Sequence, residues 1–371
     1  MKLLAVTHPT QDTTIANSEK INIYSHNVPF SLLNIEVNLD AVLEKDMVLV
    51  RKTAFSLNYR DKGICLKAFK QLVEDDELNK YFAIGSEFAG IVVKTGTDIV
   101  DLKIGDRVIP NHSYPTSGYP HVLAGVISNK CSTEYAIFHF SKLVKMPDAM
   151  SDEVGAAFSL GAQTAYSMIR KSAINVNEIA LITSASSNTS LHLINALVIK
   201  GMEVHIITTQ KENIVKFKKM GVSKAYWYNK DLDFFDSSQD IVKEKVVFDV
   251  VFDPMFDIYF TKVLELLKNG GRYLTCGRYD QFSPMDDDYD SSKEPTINLP
   301  QLMGFLLHNN ISLIGNCLGT RDDLLNAIFD FEHKGLQVVV DSLYSSMEFA
   351  KFIERSFNSK ERLGKVICMY Q

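Results

Sequence analysis

The stretch Leu181–Lys211, LITSASSNTSLHLINALVIKGMEVHIITTQK, decides how the chain folds. An apolar run suited to a buried strand leads into the short polar turn SASSNTS. An apolar helix, SLHLINALVIKG, follows and is closed by Gly201, and a second strand, EVHIIT, comes next. Strand, tight turn, helix and strand in this order form the unit whose helix N-terminus receives the pyrophosphate of a dinucleotide. Glycine usually lets such a turn bend sharply and approach the phosphates, yet this turn has none. Ser184, Ser186, Ser187, Asn188, Thr189 and Ser190 occupy it instead. Asparagine tolerates a left-handed backbone better than most residues, and hydroxyls can hydrogen-bond phosphate. The turn is therefore expected to keep a nucleotide, with side-chain donors replacing some backbone contacts. A turn that has lost its nucleotide is the alternative.

Downstream the alternation continues. KENIVKFKKMG reads as a helix, KAYWY and VVFDVVFD as strands, FTKVLELLKNGG as a helix, and RYLTCG and ISLIGN as strands. Alternating β and α elements at this spacing predict a doubly wound parallel sheet. Two helices follow, TRDDLLNAIFDFEHKG and one near Met347–Phe357, and then a last strand, GKVICMY. Upstream the texture differs. MVLVRKTAFSL, FAGIVVKTG, DRVIP and TEYAIFHF are short β-like runs separated by Gly, Asp, Asn and Pro, which predicts a barrel-like β domain over residues 1–150. Ser151 is placed to cap a helix whose first turn carries Asp152 and Glu153. The acidic segment 278–295, RYDQFSPMDDDYDSSKEP, reads as a long loop between sheet strands.

A chain of 371 residues accommodates about two domains, and 46% hydrophobic residues can fill their cores. The apolar runs are shorter than the roughly 20 residues a membrane span requires, and the first residues, MKLLAVTHPTQ, suit a strand better than a signal peptide. A net charge of −6 argues against nucleic acid or an anionic membrane as partner. Cys65, Cys131, Cys276, Cys317 and Cys368 are widely spaced, without a C-x-x-C pair. That spacing fits a reducing cytoplasm and excludes a dense disulfide framework.

In order along the chain, FSLNYRDKG, IGSEFAGIVVKTGTDIVDLKIGDRVIP, AAFSLGAQTAYSMI, NGGRYLTCG and LGKVICMY resemble the medium-chain dehydrogenase/reductase superfamily. The resemblance covers nearly the whole chain. It implies an α/β protein with a GroES-like β-barrel catalytic domain made by both termini, residues 1–150 and 321–371. A Rossmann domain of doubly wound parallel sheet, residues 151–320, is inserted between them, with the active site in the cleft. Zinc-holding members supply a Cys near Asn58–Tyr59, a His in a GHE triplet and a further Cys or His. Here the triplet is GSE, with Ser86 at the His position, and no Cys or His lies near Gly161. A four-cysteine structural lobe would span 111–131, where only Cys131 occurs. No metal is therefore expected. His112 and His121 in NHSYPTSGYPH read as surface-loop histidines, or as part of an aromatic loop lining the substrate cleft.

The zinc-free branch that the chain resembles contains quinone oxidoreductases and enoyl-thioester reductases. SLNYRD is similar to the NYKD of acryloyl-CoA reductase-type members. This implies hydride addition from NADPH to a C=C bond conjugated with a carbonyl, with donors stabilising the enolate and an acid protonating the α-carbon. Tyr59 is the choice for proton donor or substrate-orienting hydroxyl, and Asn58 for positioning the cofactor amide or the carbonyl. Both could instead merely complete the turn after TAFSL, and Arg60 and Asp61 could form a local salt bridge. The second sheet strand ends in Thr208, Thr209 and Lys211, with no acidic residue for a ribose diol, which favours the 2′-phosphate of NADPH. Lys211 could equally be a solvated charge at a helix start. Cys276 and Gly277 complete the expected cofactor contacts.

The substrate is either a peptide or a small molecule with an activated alkene. The chain is also similar in texture to reductases of lantibiotic biosynthesis, which hydrogenate dehydroalanine and dehydrobutyrine to D-amino acids. A small-molecule quinone, enone or enoyl-thioester reductase, an alcohol dehydrogenase and a non-enzymatic Rossmann-fold interaction protein are the alternatives. The edge strand ISLIGNCLG, Ile311–Gly319, is expected to pair with its copy in a homodimer.

Overall fold

A computed structural model of the chain describes residues 1–9, 17–75, 80–229, 241, 246–279, 281 and 297–370. The acidic segment, apart from Arg278, Tyr279 and Gln281, lies outside the described residues. The front of the chain forms β1 (Lys2–Thr7), β2 (Ser18–Ile23), β3 (His26–Asn34), β4 (Met47–Ser56), helix α1 (Tyr59–Asp75), β5 (Tyr81–Ala83), β6 (Glu87–Thr95), β7 (Arg107–Pro110), β8 (Tyr135–His139), β9 (Leu143–Lys145) and the short α2 (Asp152–Gly155). Next come α3 (Ser159–Ser172), β10 (Ile179–Ile182), α4 (Asn188–Ile199), β11 (Glu203–Thr208), α5 (Ile214–Lys219), β12 (Lys224–Trp227), β13 (Phe248–Asp253), α6 (Phe256–Val263), β14 (Leu267–Thr275), α7 (Leu299–Asn309), β15 (Ser312–Gly315) and α8 (Arg321–Lys334). The chain closes with β16 (Val340–Ser345), α9 (Phe349–Phe357) and β17 (Lys365–Met369).

Two compact units result. The first takes Met1–Leu160 and the C-terminal Val339–Gln371; the second begins at Gly161 and runs up to Val338. The boundaries expected at 150/151 and 320/321 thus move to 160/161 and 338/339. The second shift has a clear cause, because α8 is tied to helices of the sheet unit. Arg170 donates to both carboxylate oxygens of Asp323, at 2.8 and 2.9 Å. Asp330 accepts from Tyr166 at 2.7 Å and from Lys200 at 3.0 Å.

In the first unit β4 is the centre, pairing antiparallel with β6, β8 and β17. Ile367 and Cys368 of β17 lie opposite Ser56 and Phe55, so both termini build this unit. A second sheet has the order β2-β3-β1-β5. Val6, Phe30, Val50, Phe55, Phe88, Leu72 and Phe352 fill one core, which draws on both sheets, α1 and α9. The second unit is a six-stranded parallel sheet of order β12-β11-β10-β13-β14-β15. The strand order reverses between β10 and β13, and open α/β sheets bind ligands beyond the carboxyl ends of the strands at such a point. The fold is therefore α/β, a GroES-like β unit with a Rossmann-type parallel sheet.

Several local readings change. The segment FTKVLELLKNGG was expected to be one helix. Instead α6 begins earlier, at Phe256, and β14 already starts at Leu267, because its partner Phe248 draws Leu267 into the ladder. The sequence reading missed the helices α1 and α7. Ser151 does stand at the N-cap of α2, but its side chain makes no cap hydrogen bond. Asp152 instead accepts from Arg107 at 2.5 Å.

Candidate functional site

The first unit gathers a buried polar cluster where β4, α1, β6 and β17 meet. After β4 the main chain of Asn58 and the carboxylate of Asp61 clasp each other: Asp61 N–H donates to Asn58 O at 2.9 Å, and Asn58 N–H to Asp61 Oδ2 at 2.8 Å. That clasp starts α1, so Tyr59 is its first residue rather than part of a free turn. Gly85, at φ +87°, bends the chain into β6. A Cβ there would lie 3.3 Å from Ser56 O, so glycine fits on both counts. The bend delivers Ser86 and Glu87, both fully buried, to the cluster. Lys365 enters from β17 at 1% exposure.

These side chains form a closed network. Asn58 Nδ2 donates to Ser86 Oγ at 3.0 Å, and Ser86 Oγ donates to Asp61 Oδ2 at 2.7 Å. Lys365 Nζ lies 3.0 Å from Glu87 Oε2 and also donates to Asn58 Oδ1. Glu87 Oε1 accepts from the Leu160 amide at 2.8 Å and from Ser159 Oγ at 3.2 Å. His112 continues the chain, with Nε2 3.2 Å from Ser159 Oγ. Because His112 Nδ1 accepts the Ile127 N–H at 3.3 Å, the imidazole proton is assigned to Nε2. Arg60 pairs locally with Asp61 at 3.2 Å and also donates to Asn129 at 2.9 Å.

The electrostatics follow from burial. Burial works to raise Glu87, yet the Lys365 ammonium, with help from the Leu160 amide, holds its carboxyl below the ordinary range. Asp61 is raised, chiefly by burial and against the pull of Arg60. His112 is pulled down to about 3 by burial, so it is a neutral imidazole near neutral pH. This residue was expected on a surface loop, but it is fully buried, whereas His121 is exposed. Lys365, Glu87 and Ser159 were not singled out as site residues from sequence, and His112 entered only through the alternative reading of its loop as lining the substrate cleft. A charged residue just after glycine in the apolar strand GKVICMY was the available signal for Lys365.

The cluster does not fit a catalytic zinc. Among the described residues no group of three His, Cys, Asp or Glu is placed to hold a metal ion. Ser86, at the position of the family's histidine, donates its proton to Asp61, and the Asn58 amide is bonded to Ser86 and to an ammonium. A serine hydroxyl, a carboxamide and a lysine do not make a transition-metal donor set.

In the second unit the glycine-free turn is built from side chains. Ser184 holds φ +47°, the left-handed region a glycine would normally fill. Its hydroxyl bonds the buried Tyr259. Ser187 caps α4 by accepting the Ser190 N–H at 3.2 Å and donates to Ser190 Oγ at 2.9 Å. Ser190 Oγ donates to Thr183 O at 2.8 Å, and Ser186 Oγ to Gln210 Oε1 at 2.6 Å. Beneath the turn, Asp253 accepts from Thr183 at 2.6 Å and from Tyr273 at 2.5 Å. Asn188 and Thr189 open α4, whose first-turn amides point out of the helix end.

Thr208 is buried at the end of β11 and accepts the Gln210 N–H at 3.1 Å. Thr209 is half-buried, and the ammonium of exposed Lys211 sits 4.9 Å from the Trp227 ring centroid. Cys276 and Gly277 follow β14. Burial pushes the Cys276 thiol up to about 12, and a Cβ on Gly277 would meet Pro254 O at 2.7 Å. The calls on the sheet unit thus fall on the turns after β10, β11 and β14, while Asn58 and Tyr59 fall in the β unit. A dinucleotide fits this sheet: the turn lies where the strand order reverses, the helix amides supply anion donors, and no acidic side chain ends β11.

A barrel-like β unit built from both termini around an inserted parallel nucleotide-type sheet defines the class of protein. Residues 44–148 match the family described as alcohol dehydrogenase GroES-like domain. A zinc-type alcohol dehydrogenase-like protein of Schizosaccharomyces pombe is 24% identical over 90% of this chain and 93% of its own length. The acryloyl-coenzyme A reductase of Metallosphaera sedula is 25% identical over 84% of this chain and 90% of its own. The solved thermostable alcohol dehydrogenase of Pyrobaculum aerophilum shares the fold with a TM-score of 0.71, at 19% identity and full coverage of both chains. The chain is thus similar over most of its length to alcohol dehydrogenase-like and acryloyl-coenzyme A reductase proteins, and it shares the two-unit fold of a solved alcohol dehydrogenase. Among the described residues no helix is long and apolar enough to cross a membrane.

Proposed function

We propose that this chain is an oxidoreductase that uses NADPH to reduce a C=C bond conjugated with a carbonyl. The observation that carries the reading is the Asn58–Ser86–Asp61–Glu87–Lys365 network, whose donors do not suit the metal that alcohol oxidation in this superfamily draws on. Likeness to an acryloyl-coenzyme A reductase supports the same direction. Bound NADPH would supply the hydride. Tyr59 is the proposed proton donor to the substrate, with Asn58 oriented by Lys365 and Ser86. Thr209 and Lys211 are proposed to take the 2′-phosphate, Lys211 being already held beside the end of β11 by Trp227.

A panel assay with NADPH tests this reading: an enone, a quinone, an enoyl thioester, a dehydroalanine-containing peptide of lantibiotic type, and a simple ketone. Hydride labelled at C4 of the cofactor should appear at the β-carbon and solvent deuterium at the α-carbon. Tyr59→Phe should slow turnover at least about tenfold while cofactor affinity is kept. Lys211→Ala should weaken NADPH more than NADH. Activity confined to the ketone would replace the alkene reading with carbonyl reduction. Turnover of the dehydropeptide alone would identify a peptide-modifying enzyme.

We further propose a homodimer through β15. This strand is the outer member of the sheet, and Leu313 on it is 43% exposed. Leu299, Met303 and Leu307 recur at a spacing of one helical turn along α7 and are 62%, 45% and 71% exposed. An apolar edge that no further strand covers among the described residues, together with an apolar face on the preceding helix, suits pairing with a second copy. Light scattering should give twice the 41.8 kDa chain mass, and Leu313→Lys should shift it to the monomer. A wild type that is monomeric at micromolar concentration would refute the dimer.

A further inference from the structure

We propose that Gln210 is a cofactor-positioning residue: through Ser186 it locks the turn after β10 to the end of β11, so that backbone amides of the turn, not its serine hydroxyls, meet the pyrophosphate. This rests on the nucleotide reading above. A hydroxyl has one proton to donate, and a phosphate oxygen only accepts. Ser186 gives its proton to Gln210 Oε1 at 2.6 Å. Ser187 gives its proton to Ser190 Oγ at 2.9 Å, and Ser190 passes its own to Thr183 O at 2.8 Å. The serines that replace glycine therefore fix the turn rather than present donors to an anion. Beside the Thr189 side chain, what remains to face a phosphate is main-chain N–H at the turn and the start of α4.

Gln210 is well placed to be the anchor. Its Oε1 accepts a second bond, from Asn213 Nδ2 at 2.5 Å. Its N–H is held by Thr208 Oγ1 at 3.1 Å, and its carbonyl accepts the Asn213 N–H at 3.2 Å. The side chain thus links two loops, one lying where a pyrophosphate and the other where a ribose would bind in such a sheet. Ser184 at φ +47° leaves the turn in a region that non-glycine residues hold only with support. The Gln210 link supplies part of that support from outside the turn.

The test is NADPH titration, by cofactor fluorescence and calorimetry, of wild type, Ser186→Ala, Gln210→Ala and the double variant. Circular dichroism checks each fold, and Gln210→Asn, one methylene shorter, stands in if Gln210→Ala does not fold. Each single variant should weaken binding about three- to tenfold, the scale of one lost hydrogen bond. The double variant should be no weaker than the weaker single, because both remove one link. If Ser186→Ala weakens binding and Gln210→Ala does not, Ser186 is a direct phosphate ligand and the proposal is wrong. Additive losses, or singles that bind as wild type does, also overturn it. A wild type that binds neither NADPH nor NADH removes the nucleotide reading itself and is told apart by that first titration.

Discussion

Lys365→Met is expected to destabilise the β unit by about 3–5 kcal/mol, the usual cost of leaving one member of a buried ion pair uncompensated. Lys365 is 1% exposed and its partner Glu87 is fully buried, so water cannot take over the lost contact. Glu87 would keep the Leu160 amide at 2.8 Å and Ser159 at 3.2 Å, but these neutral donors do not cancel its charge. The pH dependence should change sign with the substitution. In the wild type the Glu87 carboxyl lies below its ordinary value, so its stabilisation is present above the unfolded value and is lost as pH falls through the folded one. Without Lys365 burial dominates and the folded value rises, so the variant should gain stability as pH falls from neutral toward about 4.5. Denaturant unfolding followed by far-UV circular dichroism measures both effects. Glu87→Gln added to Lys365→Met should recover about 1–3 kcal/mol, since no buried charge then remains. A Lys365→Met variant within about 1 kcal/mol of wild type would show that the pair does not carry the charge balance assigned to it.

The sequence made the architecture legible because its periodicities are strong. The β–α alternation from Ile179 onward, the Gly201 stop and the apolar VVFDVVFD correspond to β10, α4, β11 and β13. The end of α6 was misread because LELLKNGG has helical apolar spacing, while the ladder to Phe248 claims Leu267 for β14. Helix α1 escaped notice because its buried face, Cys65, Leu66, Ala68 and Leu72, is diluted by charged residues and its start depends on the Asn58–Asp61 clasp rather than on a Ser or Thr cap. The site was harder still. Asn58 and Ser86 could be marked by position, but Lys365 lies 307 residues beyond Asn58, and their contact exists only after β17 joins β4. The serine turn illustrates a different limit: side-chain donors were visible in SASSNTS, but the direction of their protons was set by Gln210, Thr183 and Ser190 in space.

Lys52→Met should stabilise the chain at neutral pH by about 2–3 kcal/mol, a gain that should fade as the solution becomes alkaline. Lys52 lies on β4 and is fully buried. Its ammonium donates to Thr133 Oγ1 at 2.6 Å and to Lys130 O at 3.3 Å. It lies 5.5 Å from the Phe88 ring centroid and 5.7 Å from that of Phe138. These contacts are real but do not match the hydration lost. Burial, opposed only weakly by Cys131, pulls the ammonium down to about 8 from an ordinary 10.5, and each unit of such a shift corresponds to about 1.4 kcal/mol. Below pH 8 both folded and unfolded chains hold the proton, and the penalty is present in full. Between about 8 and 10.5 the unfolded chain still binds the proton that the folded chain has released, so wild-type stability rises with pH. Above that window both states are neutral and the penalty is gone. Methionine is unbranched, fills similar volume and suits the two rings. Removing the ammonium strands no partner, since Thr133 Oγ1 already donates to Lys130 O at 3.0 Å. Urea midpoints by far-UV circular dichroism at pH 7 and pH 10 would show the variant ahead at the first, with most of that lead gone at the second. Fluorescence of Trp227, the single tryptophan, reports separately on the sheet unit. A variant less stable than wild type at pH 7 would mean that the two rings and the Thr133 bond outweigh the desolvation of the ammonium.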